Sequence, residues 1–201
     1  KGLVEKEVKA NLATWQIIAS ATGESLDIAS ANSSAVRAQI KEFILANGIL
    51  EAEISNTSPR VIDLSTQYYN NQSQVKTGYQ IDAGYKIRTE NVDSVVSISQ
   101  KIDELLAKGI VIVPDMDPSY VYTKLNSLKP EMLEVATKNA RTSGEQFAKD
   151  SSARLGSIRR ANQGTFSISA LDDASGETLE DTTSVNKKVR VVTTIDFYLE
   201  K

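Results

Sequence analysis

The chain has 201 residues, 40% hydrophobic and 24% charged, with a net charge of -3 and neither His nor Cys. That composition excludes a Ser-His-Asp triad, a Cys nucleophile, a disulfide, and any thiolate or imidazole metal site, and it leaves a metal only oxygen ligands. The slight negative charge and a 6% aromatic share also exclude a broad basic field or a stacking platform for nucleic acid.

This length fits one domain or two small lobes, with enough surface to bury a core without staples. The longest apolar stretches are Ile17 to Ala19, Phe43 to Ala46 and Ile110 to Val113. All fall far short of the roughly 20 residues that span a bilayer. The first residue is Lys1 rather than Met, so an N-terminal piece carrying a signal peptide or membrane anchor is expected to have been removed.

Val4 to Val8 and Leu12 to Ser20 alternate apolar with polar positions and read as strands, the second with Ala13, Trp15, Ile17 and Ala19 on one face. From Glu24 to Asn47 the period becomes helical. Ala29, Val36, Ile40, Phe43 and Ile44 share a face, Arg37, Lys41 and Glu42 fall away from it, and Asn47-Gly48 is the stop. Ile49 to Ile54 reads as strand and Arg60 to Tyr69 as another. Asn70 to Ser73 is a turn, and Val75 to Thr89 a long strand with Tyr79, Ile81, Ala83, Tyr85 and Ile87 in alternation.

A second helix is predicted over Val92 to Lys108, with Val92, Val95, Val96, Ile98, Ile102, Leu105 and Leu106 buried and Gly109 ending it. The unbroken apolar run Ile110 to Val113 predicts a strand in the middle of a sheet. Tyr120 to Leu125 is a further strand. Helix three starts near Pro130, beside Glu131, and runs to about Ser152. Ile158 to Leu171 and Lys188 to Leu199 are strands, with an aperiodic acidic loop, Asp172 to Ser184, between them.

Leu45-Ala46-Asn47-Gly48-Ile49 reappears as Leu106-Ala107-Lys108-Gly109-Ile110, and Leu155-Gly156-Ser157-Ile158 is a looser third instance. Two readings stand: repeated strand-helix-strand units, or the general habit of helices to end in Gly before an apolar strand. Either way the pattern predicts an α+β fold, three helices packed on mixed, mainly antiparallel sheets.

Four constellations invite chemistry, and each has a plainer reading. Ala136, Ala140, Gly144 and Ala148 put a small-residue stripe on helix three, for packing on the sheet or for a subunit contact. Asp115, Asp117 and Glu131, and separately Asp172, Asp173, Glu177, Glu180 and Asp181, could hold Ca²⁺ through oxygens or be solvated loops; neither has an Asp-x-Asp-x-Asp-Gly pattern. Arg159-Arg160 with Lys187, Lys188 and Arg190 form a basic patch for anionic surfaces, or a ladder of surface charges. Tyr68-Tyr69, Tyr79, Tyr85, Tyr120 and Tyr122 lie on predicted strands, as sheet stabilisers or as a ligand platform. No Gly-rich phosphate loop and no Gly-x-Ser-x-Gly elbow is present. No catalytic, cofactor-binding or metal-ligating residue is therefore assigned.

The ordered set of motifs resembles the SIMPL-domain family of bacterial envelope proteins. The opening Lys1-Gly2-Leu3-Val4-Glu5-Lys6-Glu7-Val8 leading to Ala13-Thr14-Trp15 is similar to the family's first strands, and Gly78-Tyr79 to the start of a long strand. Ala136, Asn139-Ala140-Arg141 and Phe147-Ala148 leading to Leu155-Gly156 resemble its Ala-Arg helix, with Gly144 where an Ala is expected. Val189 to Phe197 resembles its final strand. The resemblance implies one SIMPL-like domain over residues 1–201, in one piece or two lobes. It also implies a periplasmic or membrane-anchored location, self-association, and a role in envelope maintenance or stress tolerance.

Three functions follow as expectations. The first is a non-enzymatic envelope protein that works as a homo-oligomer, using long terminal strands such as Val4 to Ala19 for edge pairing and touching the envelope or membrane surface but no nucleic acid. The second is a periplasmic binding module for a small ligand or envelope polymer, using the tyrosine strands. The third is an oxygen-ligand metal enzyme or glycosidase, which needs two converging carboxylates.

Overall fold

The alternation of the first strands and the helical period after Gly23 are realised in the computed structural model, which describes residues 1–66, 77–114, 117–171 and 182–200. The strands are β1 (Gly2–Lys9), β2 (Leu12–Gly23), β3 (Ile54–Asn56), β4 (Arg60–Asp63), β5 (Tyr79–Thr89), β6 (Val111–Ile112), β7 (Ser119–Val121), β8 (Arg154–Gln163), β9 (Ser167–Ala170) and β10 (Asn186–Glu200). The helices are α1 (Leu26–Ala46), α2 (Val92–Gln100), α3 (Asp103–Ala107) and α4 (Leu125–Asp150). The fold is α+β with antiparallel sheets, as the pattern predicts. Among the described residues no helix is long and apolar enough to cross a membrane.

The chain forms two compact units. One comprises Lys1–Asn11 and Val121–Lys201, and the other is Leu12–Tyr120. In the first unit β10 is central, with β1 on one side and β8 and β9 on the other. Side chains alternate along it, so Lys187, Val189, Val191, Thr193 and Ile195 are buried. Met132 and Ala136 of α4 pack on Val189 and Val191, and Val4 and Val8 of β1 close the core.

In the second unit the sheet order is β3-β5-β2-β6, with β4 continuing the β3 edge of β5 and β7 pairing with β2. Ala13, Trp15, Ile17, Ala19 and Ala21 of β2 are buried as predicted, in register with Thr89, Ile87, Tyr85, Ala83 and Ile81 of β5. Ala29 of α1 packs on Ile81 and Ala83. β1 and β2 thus belong to different sheets. β2 is flanked on both sides, so Val4 to Ala19 is not one long free edge.

Several elements differ from the sequence reading. Ile49 to Ile54 is a 3-10 turn at Glu51–Glu53 followed by the short β3. The Glu53 carboxylate accepts the Leu50 N–H at 2.9 Å and Glu51 pairs with Lys41, which curls the segment. Helix two breaks into α2 and α3. At its break Ser99 donates back to the Val96 carbonyl, and the Lys101 N–H reaches Ile98 rather than a residue four back. The break shifts the phase, so Leu105 is buried while Leu106 is exposed. Ile110 to Val113 yields only the two-residue β6, at the sheet edge rather than its centre, with Val111 63% exposed. Tyr120 to Leu125 contributes β7 up to Val121, and α4 begins at Leu125, so Pro130 lies inside it. Ile158 to Leu171 splits into β8 and β9, since the Gly164 N–H donates to the Val192 carbonyl (3.0 Å) in a close approach that leaves no room for a side chain.

Three helices end in the same way. Gly48 and Gly109 take positive φ, and Ile49 and Ile110 donate back to the Ile44 and Leu105 carbonyls. This is the six-to-one capping bond that an αL residue permits. The third instance is at Ser152 (φ 57), where Ala153 donates to Ala148, and not at Leu155-Gly156, which lies within β8.

Candidate functional site

The small-residue stripe of α4 is covered by its own sheet. Ala136, Ala140 and Ala148 are buried, and a Cβ on Gly144 would meet Leu155 Cδ1 at 3.2 Å and Phe197 Cδ2 at 3.3 Å. The packing reading is the one realised.

The five cations of the basic patch do not converge. Arg190 pairs with Glu5 across β10 and β1, Nε to Oε1 at 3.6 Å. Lys188 lies in register with Glu7, and Arg160 with Asp196. Arg159 sits where the β8 register slips, and Lys187 is buried, at 1% exposure. This is a ladder of alternating charge.

Of the predicted carboxylates, Glu131 is exposed and bound to Lys6 at 2.7 Å. Asp117 lines a hollow of about 250 Å³ with Lys86, Gln16 and Ser119. Among the described residues no three acidic groups gather to hold a metal. Asp115, the acidic residues Asp172 to Asp181, the turn Asn70 to Ser73, and Tyr68-Tyr69 lie outside the described residues.

The other strand tyrosines form no exposed stripe. Tyr79 packs on the Ala29–Ile81 cluster, Tyr85 and Tyr120 are buried and Tyr122 is half-buried. Burial pushes the Tyr120 phenol up, partly offset by its hydrogen bond with Ser99. On the face of the second unit's sheet away from α1, Ser20 donates to Asp82 at 2.5 Å, and Gln80 donates to the same carboxylate at 2.8 Å. The Asp82 carboxylate thus orients the Ser20 hydroxyl, in a chain that has no imidazole to deprotonate it.

Two features were missed by the spacing argument. The first unit's sheet runs β1-β10-β8, so among the described residues β8 has no strand on its outer side. The Gly164 N–H donates to Val192, so by alternation the N–H and C=O of Ala161 and Gln163 point away from β10. On α4, Phe147 is 75% exposed. The second feature is a cavity of about 370 Å³ between α1 and β4–β5, lined by Leu26, Ser33, Arg37, Val61, Ile81 and Ala83. Arg37 was assigned to the outer face. It instead turns onto the sheet, its guanidinium 5.4 Å from the Tyr85 ring centre and its Nη2 2.6 Å from Asn56 Oδ1.

The family model SIMPL, described as a protein of unknown function (DUF541), matches residues 1–197. The chain belongs to the SIMPL family. No curated protein matches it. The positions that carry the SIMPL resemblance have structural duties here. Trp15 fills the core, and Gly78 (φ 116) turns the chain into β5 where a Cβ would sit 2.6 Å from the Gly23 carbonyl. Ala140 lies under Gly2, Arg141 stacks over Phe197 at 5.5 Å, and Leu155 meets Gly144. Trp15 and Gly78 are not among the described residues that line the cavity beside Arg37.

Proposed function

We propose that this SIMPL protein is a non-enzymatic cell-envelope protein, periplasmic or anchored facing the periplasm, that works by assembling with copies of itself to maintain the envelope or its tolerance of stress. The observation that carries the assembly reading is the outer side of β8, which among the described residues has no neighbouring strand. An extended strand with outward backbone donors and acceptors is a template for a further strand. The same edge of a second copy would extend the sheet antiparallel. The envelope location rests on family membership and is tested by fractionating cells that express the protein with its natural N-terminal region.

Light scattering on a size-exclusion column, over a range of concentrations, tests assembly. A dimer, or a multiple of it, is expected. Ala161→Pro removes an N–H that points away from β10, and Phe147→Ser removes an exposed apolar side chain. Both variants should shift the protein to monomer with an unchanged circular dichroism spectrum. A monomer at every concentration, or an oligomer indifferent to both changes, sinks the reading. Removing Lys1 to Ala10 is a poor probe, since it also strips β1 from Val189 and Val191.

A further inference from the structure

The cavity beside α1 has two unlike ends. At one end the Arg37 guanidinium is fixed between Tyr85 and Asn56, and its Nε is buried without a hydrogen-bond partner. Among the described residues no carboxylate pairs with it. The Nε is a buried donor without an acceptor on a half-buried cation, and an anion entering the cavity would supply both the acceptor and the countercharge. At the other end the wall is apolar. Leu26 and Val61 are 47% and 53% exposed, large aliphatic surfaces that nothing described covers, and Ile81 and Ala83 form the floor between them and Tyr85. Ser30, Ser33 and Ser34 run along the α1 side between the two ends.

Asp27 stands at the Leu26 end. It lies ten residues from Arg37 along the helix, about 15 Å at the helical rise. An acidic group is repelled there and attracted at Arg37, so the groove orients what enters it. A volume of about 370 Å³ lies within the range of small-molecule sites.

We infer that this groove binds a single-chain amphiphile with an acidic head, the carboxylate on Arg37 and the alkyl chain over Ala83 and Ile81 toward Leu26 and Val61. The inference is independent of assembly, because none of these residues lies on β8 or α4.

The test uses the full chain and decanoate, titrated calorimetrically below its micelle concentration, with decanol and inorganic phosphate as separate probes. Saturable binding of one decanoate per chain is expected. Arg37→Met keeps the apolar stem and should weaken it about tenfold or more. Val61→Asp, at an exposed position away from the guanidinium, should weaken it as well, which keeps the test decisive if Arg37→Met unfolds. Absence of saturable decanoate binding, or decanoate binding unchanged in both variants, overturns the inference. Decanol binding as tightly as decanoate removes the role of Arg37, and phosphate binding as tightly as decanoate removes the role of the apolar wall; either result also overturns it.

Discussion

A Cβ on Gly2 would lie 1.9 Å from the carbonyl oxygen of Ala136. That closeness lets β1 and α4 share the core around Val189 and Val191. Gly2→Val therefore forces strand and helix apart. It should destabilise the fold by about 1–3 kcal/mol, in line with overpacked cores, read as a lower urea midpoint.

The three helix ends separate backbone strain from packing. Gly109 has φ 79 with nothing within 4 Å of an added Cβ, so Gly109→Ala tests conformation alone. It should cost about 1 kcal/mol. Ser152→Gly relieves the same strain at φ 57 and should raise the melting temperature. Opposite signs in thermal melts are the expected result, and equal signs would contradict the αL account.

Gly144 is a different case. A Cβ there meets only the side-chain ends of Leu155 and Phe197, both half-buried and able to shift by a few tenths of an ångström. Replacing a mid-helix Gly with Ala recovers up to about 1 kcal/mol of helix propensity. Gly144→Ala should thus be neutral to stabilising in denaturant melts. A large loss would mean that the pair cannot give.

Lys41 and Glu51 are linked at 2.5 Å on the surface of the second unit. The hydrogen bond and charge of Glu51 raise Lys41 above its ordinary 10.5, and Lys41 lowers Glu51 below its ordinary 4.5. Glu51, depressed when folded, contributes stability above 4.5 that is lost as pH falls through its folded value. Lys41 contributes below 10.5 and loses it as pH rises through its raised value. An NMR titration should place the Glu51 carboxyl below that of Glu51 in the Lys41→Met variant.

What the sequence made legible followed from periodicity acting over long spans. The β2 and β5 alternations are correct in face, and so are the Ala29, Ile40, Phe43 and Ile44 stripe of α1 and the αL stops at Gly48 and Gly109. The failures arose where a few side-chain bonds outweigh the pattern, as at Glu53 on Leu50 and Ser99 on Val96. An apolar run such as Ile110 to Val113 cannot report whether its neighbours will be strands or solvent. Arg37 was misplaced because helical spacing marks it as outward, while its length lets it fold back over Tyr85. The open side of β8 was invisible, because it depends on the order β1-β10-β8 in the sheet.

The register of Gly2 with Thr193 joins segments far apart in the chain, and it orders events during synthesis. β1 is made well before its hydrogen-bonding partner β10, with the whole of Leu12–Tyr120 made in between. Leu12–Tyr120 holds all its own strands and can fold while translation continues. The first unit cannot close until β10 has been made, and ordering across so long a separation is slow. β1 must wait as an extended segment of alternating charge, Glu5, Lys6 and Glu7 among its residues. That charge suits a strand that has to stay soluble and unpaired until its partner arrives.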